Sequence, residues 1–457
     1  MKVQQQFSWS LKSLIAFVGF SLLLFGLPAH AQEGEEEGSR FANAETTRVR
    51  ALSEQTNRQI QPAREFLSPS AEEGQEAPQP DPAGAVRVLD RIRTDEMPSH
   101  EKAEIWNLYG YAYYLLDDIN KSREFYERVV DEPEVNAPLK NRTLKQIASI
   151  CLFVEDFECA LEFFQGWMGL QQVVGADDIA LLATIYYYKD DLDDSLVNME
   201  KAIEMKENLG EIGKENWYSI QRSIYYQRND FRKVVSILEK LIVNYPHVRY
   251  WRELGGMYAE LEETDNQLNA FAVAHLQKGL TTESQLVGLA YQYIAAEAPY
   301  KAAQILVEGI DSGKIRKNEK NFQLIGSSYY QSRELEKALP YMEQAAEGAA
   351  GGESYGRLAG IYLDLERYDD AVRTGREALN RSGLRQRHLV QFAVGTALFN
   401  QKDYDGAIQA FRQVVSDGGR GIEQARQWID YVQKERRRDQ QLRDSGIDLD
   451  KVLSSSR

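Results

Sequence analysis

The sequence predicts an all-α fold, a stack of helix-turn-helix repeats closed by a capping helix, and three observations carry that prediction. A two-helix pattern recurs along the chain. A bulky residue is followed three and four positions on by a bulky and a small one, then three further by an aromatic or aliphatic, a polar turn, and a second helix with its own small residue. The small first-helix position reads Gly110, Ala148, Ala183, Arg222, Gly255, Ala290, Gly326, Ala359 and Gly395, at intervals of 38, 35, 39, 33, 35, 36, 33 and 36 residues. The segment 420–440 then places Ala425, Trp428, Tyr431 and Val432 on one face, the cover that such an array needs over its last apolar surface.

Taken in order, residues 1–31 read as a secretory signal. Lys2 and Lys12 flank its start, an apolar run spans Leu14 to Leu27, and Ala29-His30-Ala31 offers a cleavage site before Gln32. Residues 32–43 are acidic and too polar to pack, so they read as disordered. Residues 44–97 form a degenerate leading repeat. Its helix over Ala44 to Phe66 and its second over Ala83 to Met97, with Val86, Leu89 and Ile92 on one face, flank a Pro/Glu-rich loop at 67–82. Nine repeats fill 98–417 as a single array, and 441–457 is a polar tail.

The second-helix small position reads Ser122, Ala160, Ser195, Ala302, Ala338, Ala371 and Ala407, which lets two helix backbones approach closely. Two repeats depart from the pattern. Arg222 stands where a small residue belongs, which requires the packing to open or the register to slip by one, and Gln267 replaces a small residue in the next repeat. A bend or widened contact near Arg222 is expected. The clearest copy, Trp251, Leu254, Gly255 and Tyr258 followed by Phe271 and Ala274, matches W-x2-L-G-x2-Y, and the array resembles the tetratricopeptide repeat. The resemblance implies a right-handed superhelical solenoid that binds other proteins.

Composition sets limits on function. A chain that is 43% hydrophobic buries a large core, and 54 Lys+Arg against 70 Asp+Glu, a net charge of -16, repels nucleic acid at long range. Cys151 and Cys159 read better as two small buried side chains than as a bridged pair, because spacing alone does not establish disulfide geometry. Catalytic patterns are absent or out of context. Gly352-Glu353-Ser354-Tyr355-Gly356 matches G-x-S-x-G, but it follows a Gly/Ala turn between repeat helices, not the strand that a nucleophile elbow needs. The histidines lack paired spacing, Gly418-Gly419 belongs to no phosphate loop, and the basic run Lys434 to Arg438 suits a helix C-terminus. The reading is of a non-catalytic protein without cofactor or metal.

What remains is a surface. The first-helix position four after the small one reads Tyr114, Leu152, Tyr187, Tyr226, Ala259, Ile294, Tyr330, Leu363 and Phe399, and the position directly after the small one adds Tyr111 and Tyr291. Tyrosine offers area and a hydroxyl at low entropic cost, so Tyr111, Tyr114, Tyr187, Tyr226, Tyr291 and Tyr330 are candidates for a partner-binding groove. The competing reading is that these rings only cover the next hairpin. Asn107, Tyr111, Lys145, Ser149, Arg252 and Gly256 do not form the Lys, Asn and Arg set of a carboxylate clamp, which disfavours recognition of a peptide C-terminus. The chain has 25 Tyr against 17 Phe and 6 Trp, and Tyr109, Tyr113, Tyr186, Tyr225, Tyr258, Tyr293, Tyr329 and Tyr362 of these lie at or beside the pattern's aromatic packing site.

A narrower likeness rests on Thr47-Arg48-Val49 to Phe66, Asp81-Pro82-Ala83-Gly84, Val88-Leu89-Asp90, Trp217-Tyr218 and Tyr250-Trp251-Arg252-Glu253-Leu254. These segments resemble exported repeat proteins encoded beside TonB, ExbB and ExbD in Gram-negative bacteria. The resemblance implies a periplasmic accessory of energy-coupled outer-membrane transport that docks the periplasmic part of a TonB complex. The alternatives are a periplasmic scaffold for envelope or polysaccharide assembly and a regulator that binds cell-wall enzymes.

Overall fold

Ser53 starts the first helix of the computed structural model, which describes residues 49–70 and 78–445. Its hydroxyl accepts the N–H of Thr56, so α1 runs Glu54–Leu67 and begins ten residues later than the composition suggests. Asp81 caps α2 (Pro82–Leu89) by accepting from Gly84, and this helix ends eight residues short of Met97, in turns that lead to Pro98 at the cap of the next helix. The expected signal, the acidic segment 32–43 and residues 446–457 lie outside the described residues.

Eighteen helices follow among the described residues, and eight hairpins pair sixteen of them. They pair α3 (Ser99–Leu115) with α4 (Ile119–Asp131), α5 (Ala137–Phe153) with α6 (Phe157–Met168), and α7 (Ala176–Tyr188) with α8 (Leu192–Glu207). Next come α9 (Glu215–Gln227) and α10 (Phe231–Asn244) in sequence, then α11 (Val248–Glu260) paired with α12 (Thr264–Leu276), and α13 (Glu283–Ala295) with α14 (Pro299–Asp311). The last three pair α15 (Glu319–Gln331) with α16 (Leu335–Glu347), α17 (Glu353–Asp364) with α18 (Tyr368–Asn380), and α19 (Arg387–Asn400) with α20 (Tyr404–Asp417). The capping helix α21 spans Ile422–Asp444, four residues past its expected end. Ala425 and Val432 are fully buried on it, whereas Tyr431, expected on the same covered face, is exposed.

Each hairpin, and the turn after α9, passes through one left-handed residue that is not glycine. Asp117, Glu155, Asp190, Asn229, Glu262, Glu297, Arg333, Glu366 and Lys402 all have φ between 57° and 66°. Each stands seven residues after the small first-helix position, and the N–H of the residue after it closes the turn onto the carbonyl five back, as Asp118 does onto Tyr113. The small positions are small for a steric reason. A Cβ on Gly110 would lie 2.7 Å from the Tyr126 ring, and one on Gly395 2.7 Å from Phe411. Ser122 and Ser195 go further, since their hydroxyls donate across the hairpin to the carbonyls of Gly110 at 2.7 Å and Ala183 at 2.8 Å.

The chain divides into two compact units between Lys233 and Val234, within α10. In the first, α1 and α2 pack Ile60, Ala63, Leu67, Ala85 and Leu89 against Ile105, Leu108, Tyr109 and Ala112 of α3. In the second, one apolar cluster runs from Ala274 to Val432. Arg222 is buried on α9, and the turn after that helix passes through left-handed Asn229, seven residues on, like the others. The register does not slip at Arg222.

The two cysteines correct the sequence reading. Cys151 and Cys159 form a disulfide with their Cα atoms 5.7 Å apart. The reason lies in the register, because Cys151 stands three after Ala148, where other hairpins carry tyrosine, and Cys159 directly precedes the second-helix small residue. The same two positions bring Lys121 over Tyr113 at 4.9 Å, Lys301 over Tyr293 at 5.6 Å and Lys233 over Tyr225 at 5.9 Å. They face each other across the hairpin, and the second repeat fills them with a covalent bond.

Candidate interaction surface

The predicted tyrosines sit on the first helices of their hairpins, and the units share them four to two. In the first unit Tyr111 and Tyr114 are half-buried on α3, and burial pushes both hydroxyls up, with Tyr111 and Asp117 adding to the effect at Tyr114. Tyr187 on α7 is half-buried, lies edge-on to Tyr188 at 5.6 Å, and places its hydroxyl 2.8 Å from Ser223 Oγ on α9. Tyr226 is exposed, its ring 5.9 Å from Phe231. In the second unit Tyr291 is exposed on α13. Tyr330 on α15 is exposed too and donates to Asp364 Oδ2 on α17 at 2.7 Å. Partial burial and then that carboxylate push its hydroxyl up to about 12, so it remains a neutral donor at physiological pH. Tyr187 and Tyr330 thus reach forward to the next hairpin, whereas Tyr226 and Tyr291 present open rings.

A second set of hydroxyls, which sequence reasoning placed only as packing, reaches backward. Tyr225 donates to Glu200, Tyr258 to Glu239 at 3.1 Å and Tyr362 to Glu343 at 2.5 Å, while Tyr186 accepts from Gln165 at 3.0 Å. In every case the tyrosine stands three after the aligned first-helix position, Ala183, Arg222, Gly255 or Ala359, and its partner stands five after the aligned second-helix position, Ala160, Ser195, Val234 or Ala338. That pairing was present in the sequence as a Tyr and an acid or amide at fixed register. Much of the tyrosine excess is therefore a set of bonds between repeats.

Other predicted lining residues are engaged or poised. Lys145 bonds Asp178 Oδ1 at 2.8 Å and lies 4.1 Å from the centre of the Trp167 ring. Arg252 has its Nε buried without a hydrogen-bond acceptor among the described residues. Ser354 is buried in the first turn of α17 and donates to Glu319 Oε1 at 2.9 Å, so the G-x-S-x-G match is a helix start tied to its neighbour and not a raised nucleophile. Among the described residues no group of His, Cys, Asp and Glu could hold a metal ion, and no helix is long and apolar enough to cross a membrane.

Family models of the tetratricopeptide repeat match residues 103–134, 324–386 and 362–421. The unmatched middle includes the hairpins that carry Cys151, Arg222 and Gln267. A search of curated proteins finds no significant match. Among solved structures the chain is similar to MamA at 15% identity and a TM-score of 0.33, over 38% of this chain and 94% of that one. It is similar to YrrB, a TPR protein with an unusual peptide-binding site, at 13% identity and a TM-score of 0.34, over 43% of this chain and 96% of that one. The Cut9-Hcn1 hetero-tetramer of the APC/C gives 13% identity and a TM-score of 0.29, over 77% of this chain and 80% of that one. The chain carries tetratricopeptide repeats and is an all-α repeat protein of that solenoid class, whose members serve as scaffolds for protein-protein interaction.

Proposed function

We propose that the chain is an exported, non-catalytic scaffold that works in the periplasm as an accessory of TonB-dependent energy transduction, holding the periplasmic part of a TonB/ExbB/ExbD complex on its first-helix tyrosines. The observation that carries the scaffold reading is an exposed first-helix tyrosine in each unit, Tyr226 in the first and Tyr291 in the second, each offering area with a hydroxyl to a partner. Export is supported by the signal pattern at 1–31 and by the Cys151–Cys159 disulfide, a bond that persists in oxidising compartments. The test is binding of the purified periplasmic domains of TonB and ExbD to the mature chain by biolayer interferometry, with Tyr226→Ala and Tyr291→Ala beside it. Binding that weakens tenfold or more in these variants supports the reading. No binding to either domain, with cell-wall or polysaccharide enzymes captured from periplasm instead, assigns the scaffold to envelope assembly.

A further inference from the structure

We propose that the turn edge of the first three hairpins is a docking surface for a basic amphipathic segment of a partner protein, distinct from the tyrosine row. Three exposed apolar side chains lie at these turns: Leu116 is 41% exposed, Phe153 52% and Val154 42%. Among the described residues of the second unit, no large exposed apolar side chain occupies the equivalent turn positions. The turns stand side by side. Arg123 on α4 bonds Asp156 at the second turn at 3.2 Å, Lys189 at the third turn reaches Glu158 at 3.8 Å, and the Phe157 and Tyr188 rings stack at 5.8 Å. Exposed aliphatic and aromatic groups held in one row need a cover.

Charge identifies that cover. The left-handed residues of these turns are Asp117, Glu155 and Asp190, all exposed and none with an ion-pair partner among the described residues. Of the cap carboxylates beside them, Asp118 pairs with Lys121 and Asp156 with Arg123, while Asp191 accepts from the N–H of Asp194. In the second unit the same turn position is mixed in sign, three acids and two bases: Glu262, Glu297, Arg333, Glu366 and Lys402. A depression lined by Lys189, Asp190, Asp191, Asp193 and Arg228 continues the edge toward α9. An apolar strip with an unpaired acidic rim fits a helix that carries leucine-like residues and lysine or arginine on one face. Helices pack about 8–10 Å apart, so three turns span roughly 20–30 Å, the length of a helix of about 18 residues.

The probe is a fluorescein-labelled Leu/Lys amphipathic peptide of about 18 residues, with its Leu/Glu counterpart, titrated with the full chain by fluorescence anisotropy. The expected result is binding of the Leu/Lys peptide alone, weakened at least tenfold by D117N/E155Q/D190N and also by Phe153→Ser. Both variants alter exposed positions, and circular dichroism verifies their folding. The charge-matched variant E260Q/E336Q/E347Q in the second unit, and Tyr226→Ala in the tyrosine row, leave the affinity unchanged. Equal weakening by the charge-matched variant would reduce the effect to bulk charge and overturn the proposal. So would loss of binding in Tyr226→Ala, equal binding of the Leu/Glu peptide, or binding of anionic phosphatidylglycerol vesicles in place of the peptide.

Discussion

The two units hold the same hairpin together by different chemistry. In the second, α12 through α21 share one apolar cluster, and the second-helix small positions Ala302, Ala338, Ala371 and Ala407 are all fully buried methyl groups. In the first, the clusters Ile60 to Ala112 and Tyr126 to Ile185 are separate, and directed bonds add to them: the Ser122 and Ser195 hydroxyls, the Cys151–Cys159 disulfide, and a buried Glu101. The Glu101 carboxylate accepts from Ser53 N at 2.7 Å and from the Thr56 hydroxyl at 2.5 Å, and so pins α1 to α3. Where apolar contact is continuous, each repeat is braced by its neighbours. Where it is not, single bonds of stated chemistry take over, and the unit becomes sensitive to reductant and acid.

The largest way to break the comparison is in the continuous cluster. Phe411 is fully buried against Gly395, Phe392 and Trp428, so Phe411→Ala should cost about 3–5 kcal/mol. Urea unfolding followed by pulse proteolysis should show the second unit opening early while peptides of the first stay protected. Simultaneous loss of both units would refute their separateness. Next in size is the disulfide. Reduction, or C151S/C159S, should destabilise the first unit by about 2–3 kcal/mol for so short a loop, and leave the second, which contains no cysteine, unmoved.

The same disulfide shows how much was legible in the sequence. The repeat register came from the small positions and survives even at Arg222, because helix ends and small contacts recur at a fixed offset. The cysteine pair was missed when considered as two isolated side chains, yet positions 151 and 159 are the ones that meet as tyrosine and lysine in other hairpins. The division at Lys233 had no cue beyond Arg222. Hydrophobic periodicity reports which face of a helix is covered, and it is blind to how strongly one repeat adheres to the next. The candidate site was legible as positions but not as partners. Tyr187 and Tyr226 carry the same residue at the same register, and only the structure separates a ring bonded to Ser223 from one left open.

Glu101 gives the comparison a pH dependence. Burial pushes its carboxyl up, but the hydrogen bonds from Thr56 and Ser53, with His100 nearby, outweigh burial and hold it below the ordinary carboxylate range. Its stabilisation is therefore complete above the unfolded carboxylate value of about 4.3 and fades as pH falls through the lower folded one. Glu101→Gln should cost about 1–3 kcal/mol at neutral pH, read as faster hydrogen exchange in α1, and the gap from wild type should close in acid. A gap that stays constant with pH would mean that the side chain acts by shape alone.

The smallest effect is the sharpest test of what the two units share. A non-glycine residue in the left-handed region costs about 1–2 kcal/mol, and glycine returns part of that gain through its freer unfolded chain. Glu155→Gly in the first unit and Glu262→Gly in the second should therefore each stabilise by roughly 0.5–1 kcal/mol, because both turns have φ near 60°. Equal gains in thermal unfolding would establish that the turn is the common device beneath two kinds of packing. The two variants should then part in binding: only Glu155→Gly removes an unpaired carboxylate from the proposed edge, so it alone should weaken the Leu/Lys peptide while its fold becomes more stable. A loss of affinity together with a gain of stability has no explanation in damaged folding, and it places the cost of Glu155 at that turn on recognition.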